Sequence, residues 1–172
     1  MINDSFSISL ISNTLNDNMS KNLLCKEFRL NNYDELEKLS HGILVKGVCE
    51  TIELQNLIQL EKLIKSLLHN QAIVLGTHEK KGRYNIASNK YKESHPNEKL
   101  VTRDKNNFSF NSGKSLMLID FDGHPRLSNC SISGFRKIMI ELFPFLNNVE
   151  MLIAPSSSAG VYLPNSEAPA HK

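Results

Sequence analysis

The feature that most constrains the fold of this chain is an apolar run at residues 116–119, followed directly by Asp120 and Asp122. Four consecutive apolar residues without a helical period, with Gly123 and Pro125 just beyond, predict a buried strand rather than a helix. Because alternate side chains of a strand share a face, the two aspartates are expected to project together from its end.

This carboxylate pair predicts a divalent metal site. Two like charges at such a separation repel each other unless a cation lies between them. Hard divalent ions prefer oxygen ligands, so we expect Asp120 and Asp122 to bind Mg²⁺ or Mn²⁺. The alternative is that the strand simply ends in a polar Asp-Gly turn. His124 follows the turn, and a surface histidine without a ligand is its simpler interpretation.

The composition permits a globular core and leaves the partner open. A chain of 172 residues with 40% hydrophobic content is long enough for one domain of ordinary size, or for a domain with an extra subunit. The net charge of +2 does not by itself indicate nucleic-acid binding, but residues 78–105 contain eight Lys/Arg and only four Asp/Glu. With no membrane-length apolar run and no basic signal segment at the start, a cytoplasmic protein without membrane contact is expected.

Hydrophobic periodicity predicts strands and helices in alternation. Residues 45–52 alternate as a strand does, and residues 54–68 carry apolar side chains at three- and four-residue steps, as an amphipathic helix does. A short buried strand is expected at residues 72–76. Together these patterns predict an α/β (α+β) fold, with a mixed sheet and flanking helices.

A second helix and strand are predicted after the aspartate pair. Ser131 or Ser133 is expected to cap a helix that ends before Pro144. The apolar run at residues 149–154 is then expected to return as a strand beside Asp120, as crossover connections do.

Composition shifts divide the chain into three segments. Residues 1–24, rich in Asn and Ser, are expected to form a weakly ordered leader or a docked arm. Residues 25–115 are expected to form an N-terminal α/β module with a long basic surface loop at 78–105. Residues 116–172 carry the Asp-x-Asp strand but no closing element, which is typical of an N-terminal piece of a longer protein or of a truncated gene product.

Two short motifs resemble those of the archaeo-eukaryotic primase superfamily. Residues 118–122, then a helix, then residues 153–160 are similar to the first half of the catalytic unit of primase-polymerase-like proteins from phages, plasmids and integrated mobile elements. Residues 103–108 and 54–76 look like the N-terminal module of those proteins. The resemblance spans roughly residues 26–163 and implies an incomplete RRM-like catalytic half.

The resemblance implies primer synthesis on a DNA template from nucleoside triphosphates, in the replication of a mobile element. Asp120 and Asp122 would hold the divalent ions for nucleotidyl transfer, and a helicase domain or protein would be a further partner. The residues expected to contact nucleotide or DNA phosphates are Arg103, Lys105, Ser156, Ser157 and Ser158.

The chain departs from that family after its serine run. No Ser-x-His follows Ser158, and no Asp occurs after Asp122. If the resemblance holds, the nucleotide-binding histidine and the third carboxylate lie beyond Lys172, and this piece alone is expected to be inactive.

Two other functions remain open. The Asp-x-Asp-Gly sequence also resembles the first motif of haloacid-dehalogenase-like phosphatases, in which Asp120 would be the nucleophile and Asp122 the general acid. His124 counts against that family, which has Thr or Val there. The third possibility is a non-enzymatic nucleic-acid-binding module in which Tyr84 and Tyr91 stack on bases.

Overall fold

The structure is a computed structural model that describes residues 5–14, 24, 26–33, 35–40, 43–80, 82–110, 114–119 and 130–154. Its strands and helices confirm the predicted mixed α/β class. In chain order they are β1 (Phe6–Asn13), β2 (Lys26–Leu30), β3 (Leu36–Ser40), β4 (Lys46–Leu54), α1 (Leu57–Ser66), β5 (Gln71–Val74), β6 (Arg83–Ala87), α2 (Asn89–Ser94), β7 (Val101–Thr102) and α3 (Ile132–Leu142).

The chain divides into two compact units. The first comprises Met1–Asn31 with Glu37–Met117, and the second comprises Asn32–Leu36 with Leu118–Lys172. A five-stranded mixed sheet in the order β5-β1-β4-β6-β7 forms the first unit. Its neighbouring strands are antiparallel except for β6 and β7, which run parallel. Strands β2 and β3 form a separate two-stranded sheet.

Strand β1 lies inside the sheet, so these eight residues of the predicted leader form a docked arm and not a weakly ordered segment. It pairs with β4 along its whole length, from Phe6 opposite Leu54 to Asn13 opposite Gly47, and with β5 on its other side. Pairing on both edges over Ser9–Ser12, and with β4 over the whole strand, satisfies backbone groups of β1 and buries its apolar side chains.

One face of the sheet, called the inner face, holds a buried cluster. Ile11, Cys49, Tyr84 and Ile86 lie there, each no more than 5% exposed. The registers place Cys49 opposite both Ile11 and Tyr84. Partly buried apolar side chains cover the cluster, namely Leu24, Leu44, Val74, Val101 and Phe108. Each fully buried isoleucine stabilises the fold by about 1.5–3 kcal/mol relative to exposure.

The opposite, outer face is buried at one end and polar at the other. Phe6, Ile8 and Leu54 are buried on it. Helix α1 follows β4, contacts it and buries Leu60. This helix confirms the periodicity-based prediction, and it begins where the Asn56 side chain accepts a hydrogen bond from the Gln59 amide at 3.0 Å.

Residues 78–105 form strand, helix and strand rather than the long surface loop that was predicted. Strand β6 alternates exposed Arg83 and Asn85 with buried Tyr84 and Ile86, as a half-buried strand does. Ser88 caps α2 by accepting a hydrogen bond from the Tyr91 amide at 3.2 Å. This alternation is hard to recognise in the sequence, because β6 has only five residues and lies in a stretch with many charged residues.

In the second unit, α3 forms as predicted and is capped by Ser131, which accepts a hydrogen bond from the Gly134 amide at 3.1 Å. The helix packs on a 3₁₀ turn at Pro144–Asn148, and Met139 and Leu146 are each 2% exposed.

The predicted strands at residues 116–119 and 149–154 are wrong as far as the structure describes them, because neither segment forms a strand. The side chains of Met117 and Leu118 are 66% and 76% exposed, so this part of the apolar run is not the buried strand expected. An apolar run becomes a strand only where a neighbouring strand pairs with it, and no described strand pairs with either segment.

We predict that Gly47→Ala destabilises the first unit. An added Cβ would lie 2.3 Å from the backbone oxygen of Ser12 and 3.0 Å from the side chain of Leu44, so strands β1 and β4 would have to separate. Thermal or urea unfolding should show a loss of about 1–3 kcal/mol, the usual cost of overpacking.

Thr51→Val, in the same strand, is the control for that measurement. The Thr51 hydroxyl is buried without a hydrogen-bond partner among the described residues, so its replacement by a methyl group should leave stability unchanged or raise it by about 1 kcal/mol. Equal losses from both substitutions would contradict the close approach of the two backbones as the cause.

Candidate functional site

The residues predicted to bind metal and triphosphate lie outside the described residues. These are Asp120, Asp122, Ser156, Ser157 and Ser158. Their roles therefore stay predictions. Over the ranges that the structure does describe, no group of three or more His, Cys, Asp or Glu side chains is placed to hold a metal ion.

Asp104 organises the turn that follows β7. One of its carboxylate oxygens, Oδ1, accepts hydrogen bonds from the amides of Asn106 at 2.9 Å and Asn107 at 3.2 Å. The other, Oδ2, accepts one from the Thr102 hydroxyl at 2.6 Å. These bonds, the Thr102 bond foremost, hold the pKa of Asp104 below its ordinary value. The hydrogen bonds of the Asp104 carboxylate therefore all lie within the turn, and the charged form of the carboxylate stabilises the turn.

This turn presents Arg103 and Lys105, the two described members of the predicted site. Both side chains are exposed, on either side of Asp104. Neither forms an ion pair with another described residue. Their predicted contact with phosphate groups stays a prediction, and they line no part of the groove described next.

A shallow groove with a basic lining lies along β6 and the segments that precede β6 and β7. Its volume is about 400 Å³. Arg83 and Asn85 project into this region from β6, on the face opposite to the buried Ile86, and Val48 lies across from Asn85 on β4. The basic groove is lined by Val48, Lys80, Arg83, Tyr84, Asn85 and Lys99.

The cations of the basic groove are not neutralised by neighbouring acids. Lys80, Arg83 and Lys99 are exposed, and no described acid pairs with any of them. Glu50 is the cross-strand partner of Arg83 by register but forms no ion pair with it. The lining contains no acidic residue, so an anion entering the groove meets three free positive charges.

A polar cluster beside the groove anchors the segment that leads to Lys99. Lys46 of β4 donates hydrogen bonds to Glu98 at 2.6 Å and to the Tyr91 hydroxyl at 3.4 Å. The Glu98 hydrogen bond is the main reason that the pKa of Lys46 is raised, and the same bond lowers the pKa of Glu98. His95 stacks on Tyr91, with the two ring centroids 4.0 Å apart. The Lys46 ammonium group is therefore paired with Glu98, and this ion pair holds the residue next to Lys99 against β4.

The tyrosines expected to stack on bases are engaged elsewhere. Tyr84 is 5% exposed and lies in the inner-face cluster, with its ring centroid 5.2 Å from that of His78. Burial foremost, and the neighbouring Cys49 thiol, raise the pKa of its hydroxyl. Tyr91 is stacked on His95 and lies under Lys46. As folded here, the ring of Tyr84 is buried and that of Tyr91 is engaged by His95 and Lys46, and the nucleic-acid-binding alternative itself stays a prediction.

Comparisons with known proteins leave the family open. No family model, no curated protein and no solved structure matches this chain. None of the described helices is long and apolar enough to cross a membrane. The surface geometry and the sequence motifs are accordingly the basis for any functional proposal.

We predict that the Asp104 turn gives the first unit a pH-dependent contribution to stability. Because the folded pKa of Asp104 is lowered, this contribution is present above the unfolded pKa of about 3.9 and is lost as the pH falls through the lower folded pKa. Thermal unfolding should show Asp104→Asn less stable than the unsubstituted chain at pH 7, with the difference shrinking as the pH falls below about 3.9.

Glu93→Gln is the matched control, since Glu93 is exposed and makes no ion pair with a described residue. It should leave the stability profile unchanged across the same pH range. A stability difference between Asp104→Asn and the unsubstituted chain that stays constant with pH would contradict the role of the carboxylate charge.

Proposed function

We propose that this chain carries the metal-binding half of a primase-polymerase-like nucleotidyltransferase, which synthesises primers on a DNA template in the replication of a mobile element. The observation that carries the proposal is the sequence at residues 118–122, an apolar run ending in Asp-x-Asp, followed by a helix and then by a serine run. Helix α3, capped by Ser131, supports it because the helix lies between the two motifs as the resemblance requires.

The donor set fits the ions that such a reaction uses. Two carboxylates separated by one residue supply the oxygen ligands that Mg²⁺ and Mn²⁺ prefer. When bound, the metal would help to activate the attacking 3′ hydroxyl and to stabilise the leaving pyrophosphate. Asp120 and Asp122 hold the ions in this proposal, and the serines at residues 156–158 contact the triphosphate.

Arg103 and Lys105 have a supporting role in the proposal. Both are exposed on the turn that Asp104 fixes, and both are suited to donating hydrogen bonds to phosphate oxygens. A reaction that uses nucleoside triphosphates and template DNA is consistent with a cytoplasmic location, with a helicase domain or protein as a further partner.

The proposal is tested by metal and triphosphate binding and not by turnover, because the sequence contains no Ser-x-His after Ser158 to supply the nucleotide-binding histidine that the resemblance implies. Calorimetry with Mn²⁺ should show binding that a deoxynucleoside triphosphate strengthens, after subtraction of the heat of Mn²⁺ with triphosphate alone. We expect Asp120→Asn/Asp122→Asn to weaken the affinity at least about tenfold, because even changes outside the ligands themselves cost that much.

Glu79→Gln/Glu93→Gln removes the same charge from exposed acids and should bind Mn²⁺ as the unsubstituted chain does. Equal weak heats from all three proteins would overturn the metal site. Release of inorganic phosphate from a simple phosphate monoester, lost in the aspartate variant, would overturn nucleotidyl transfer in favour of the phosphatase alternative.

A further inference from the structure

We infer that the basic groove binds the phosphodiester backbone of a single-stranded nucleic acid. The inference deepens the proposed function and rests on it for the role of the strand as a template. The binding itself uses neither a metal ion nor the aspartate pair, because every residue of the groove belongs to the first unit and lies before residue 116.

The charge of the groove matches that of a phosphate chain. Lys80, Arg83 and Lys99 are exposed and are not paired with any described acid. An unpaired surface cation costs little to bring against a phosphate, and each phosphate that it neutralises releases condensed counterions from the strand. Three such cations around one concave surface therefore favour a polyanion over a ligand with a single charge.

The chemistry of the remaining lining suits the backbone of a strand. The guanidinium group of Arg83 is able to donate two parallel hydrogen bonds to one phosphate group. Asn85, two residues along β6 and on the same face, offers an amide to phosphate or sugar oxygens. Val48 supplies a small apolar floor across from Asn85. No large apolar anchor is exposed in the groove, which argues against a peptide partner, since peptides are held mainly by such anchors.

The shape of the groove favours a single strand over a duplex. Its lining comes from β4, from β6 and from the segments before β6 and β7, and none of it lies on a helix. Duplex readers place a protruding helix or ribbon into a groove of the DNA, whereas a flexible single strand follows a charged concave surface. Because Tyr84 is buried and the half-buried Tyr91 is engaged by His95 and Lys46, we expect contacts to the backbone of the strand and not to its bases.

The test measures binding of fluorescently labelled single strands by anisotropy in EDTA. An oligothymidine and a mixed-sequence strand of equal length should bind alike, and more tightly than the corresponding duplex. Lys80→Ala/Arg83→Ala/Lys99→Ala should lower the affinity at least about tenfold at low salt. The slope of log affinity against log salt should become shallower by about 2, because each lost phosphate contact on a single strand removes about 0.7.

Lys62→Ala/Arg136→Ala/Lys137→Ala is the matched control, since it removes two lysines and one arginine that are exposed outside the groove. It should keep most of the affinity and the salt slope. Glu50→Gln should raise the affinity a few-fold, by removing the acid that lies opposite Arg83. This gain does not depend on whether the triple variant folds normally.

Groove and control variants with equal affinities, or Glu50→Gln without effect, would overturn the groove as the binding surface. Equal binding of duplex, or full competition by poly-glutamate of the same charge, would overturn the assignment to a single strand. Asp120→Asn/Asp122→Asn should bind strands normally in EDTA. Loss of Mn²⁺ binding with intact strand binding therefore separates failure of the metal site from failure of the groove.

Discussion

The pairing of β1 with β4 determines which side chains reach each face of the sheet. The two strands are paired over eight residues, and Gly47 allows their backbones to approach closely beside Ser12. A slip of one residue would exchange the two faces, because side chains alternate along a strand. The same register continues from β4 into β6, so it places Tyr84 in the core and leaves Arg83 in solvent. The groove therefore depends on the pairing of β1 with β4, although Val48 is the only residue of these two strands in its lining.

Elements with long or repeated hydrophobic patterns were predictable from the sequence. Helix α1, helix α3 and strand β4 each form close to where periodicity placed them. Strand β1 is hard to recognise from the sequence although Phe6 and Ile8 alternate with serines, because a polar, Asn-rich sequence context is also typical of weak order. Its stability comes from β4 and β5, which are distant in sequence, and local composition does not report such pairing.

In the candidate site, too, some properties are predictable from neighbouring residues in the sequence and others depend on residues that are distant in it. The positive charge of residues 78–105 is visible in the sequence, but its convergence with Val48 on one surface depends on the pairing of β4 with β6. The position of Lys46 over the ring of Tyr91 likewise brings a residue of β4 to helix α2, from which it is distant in sequence. The prediction of metal binding by the aspartate pair, in contrast, rests only on local information, namely residue type and spacing. It stays a prediction, because Asp120 and Asp122 lie outside the described residues.

The parallel pairing of β6 with β7 couples the groove to the crossover between these strands. Arg83 stands at the start of β6, and Lys99 stands near the end of the crossover that contains α2. Two cations of one groove are thus joined by a segment that the Lys46–Glu98 ion pair fastens to the sheet. A ligand that holds Lys99 near Arg83 also favours the docked crossover. If the groove binds a polyanion as inferred, docking of the crossover and binding would be linked equilibria, in which each stabilises the other by the same free energy.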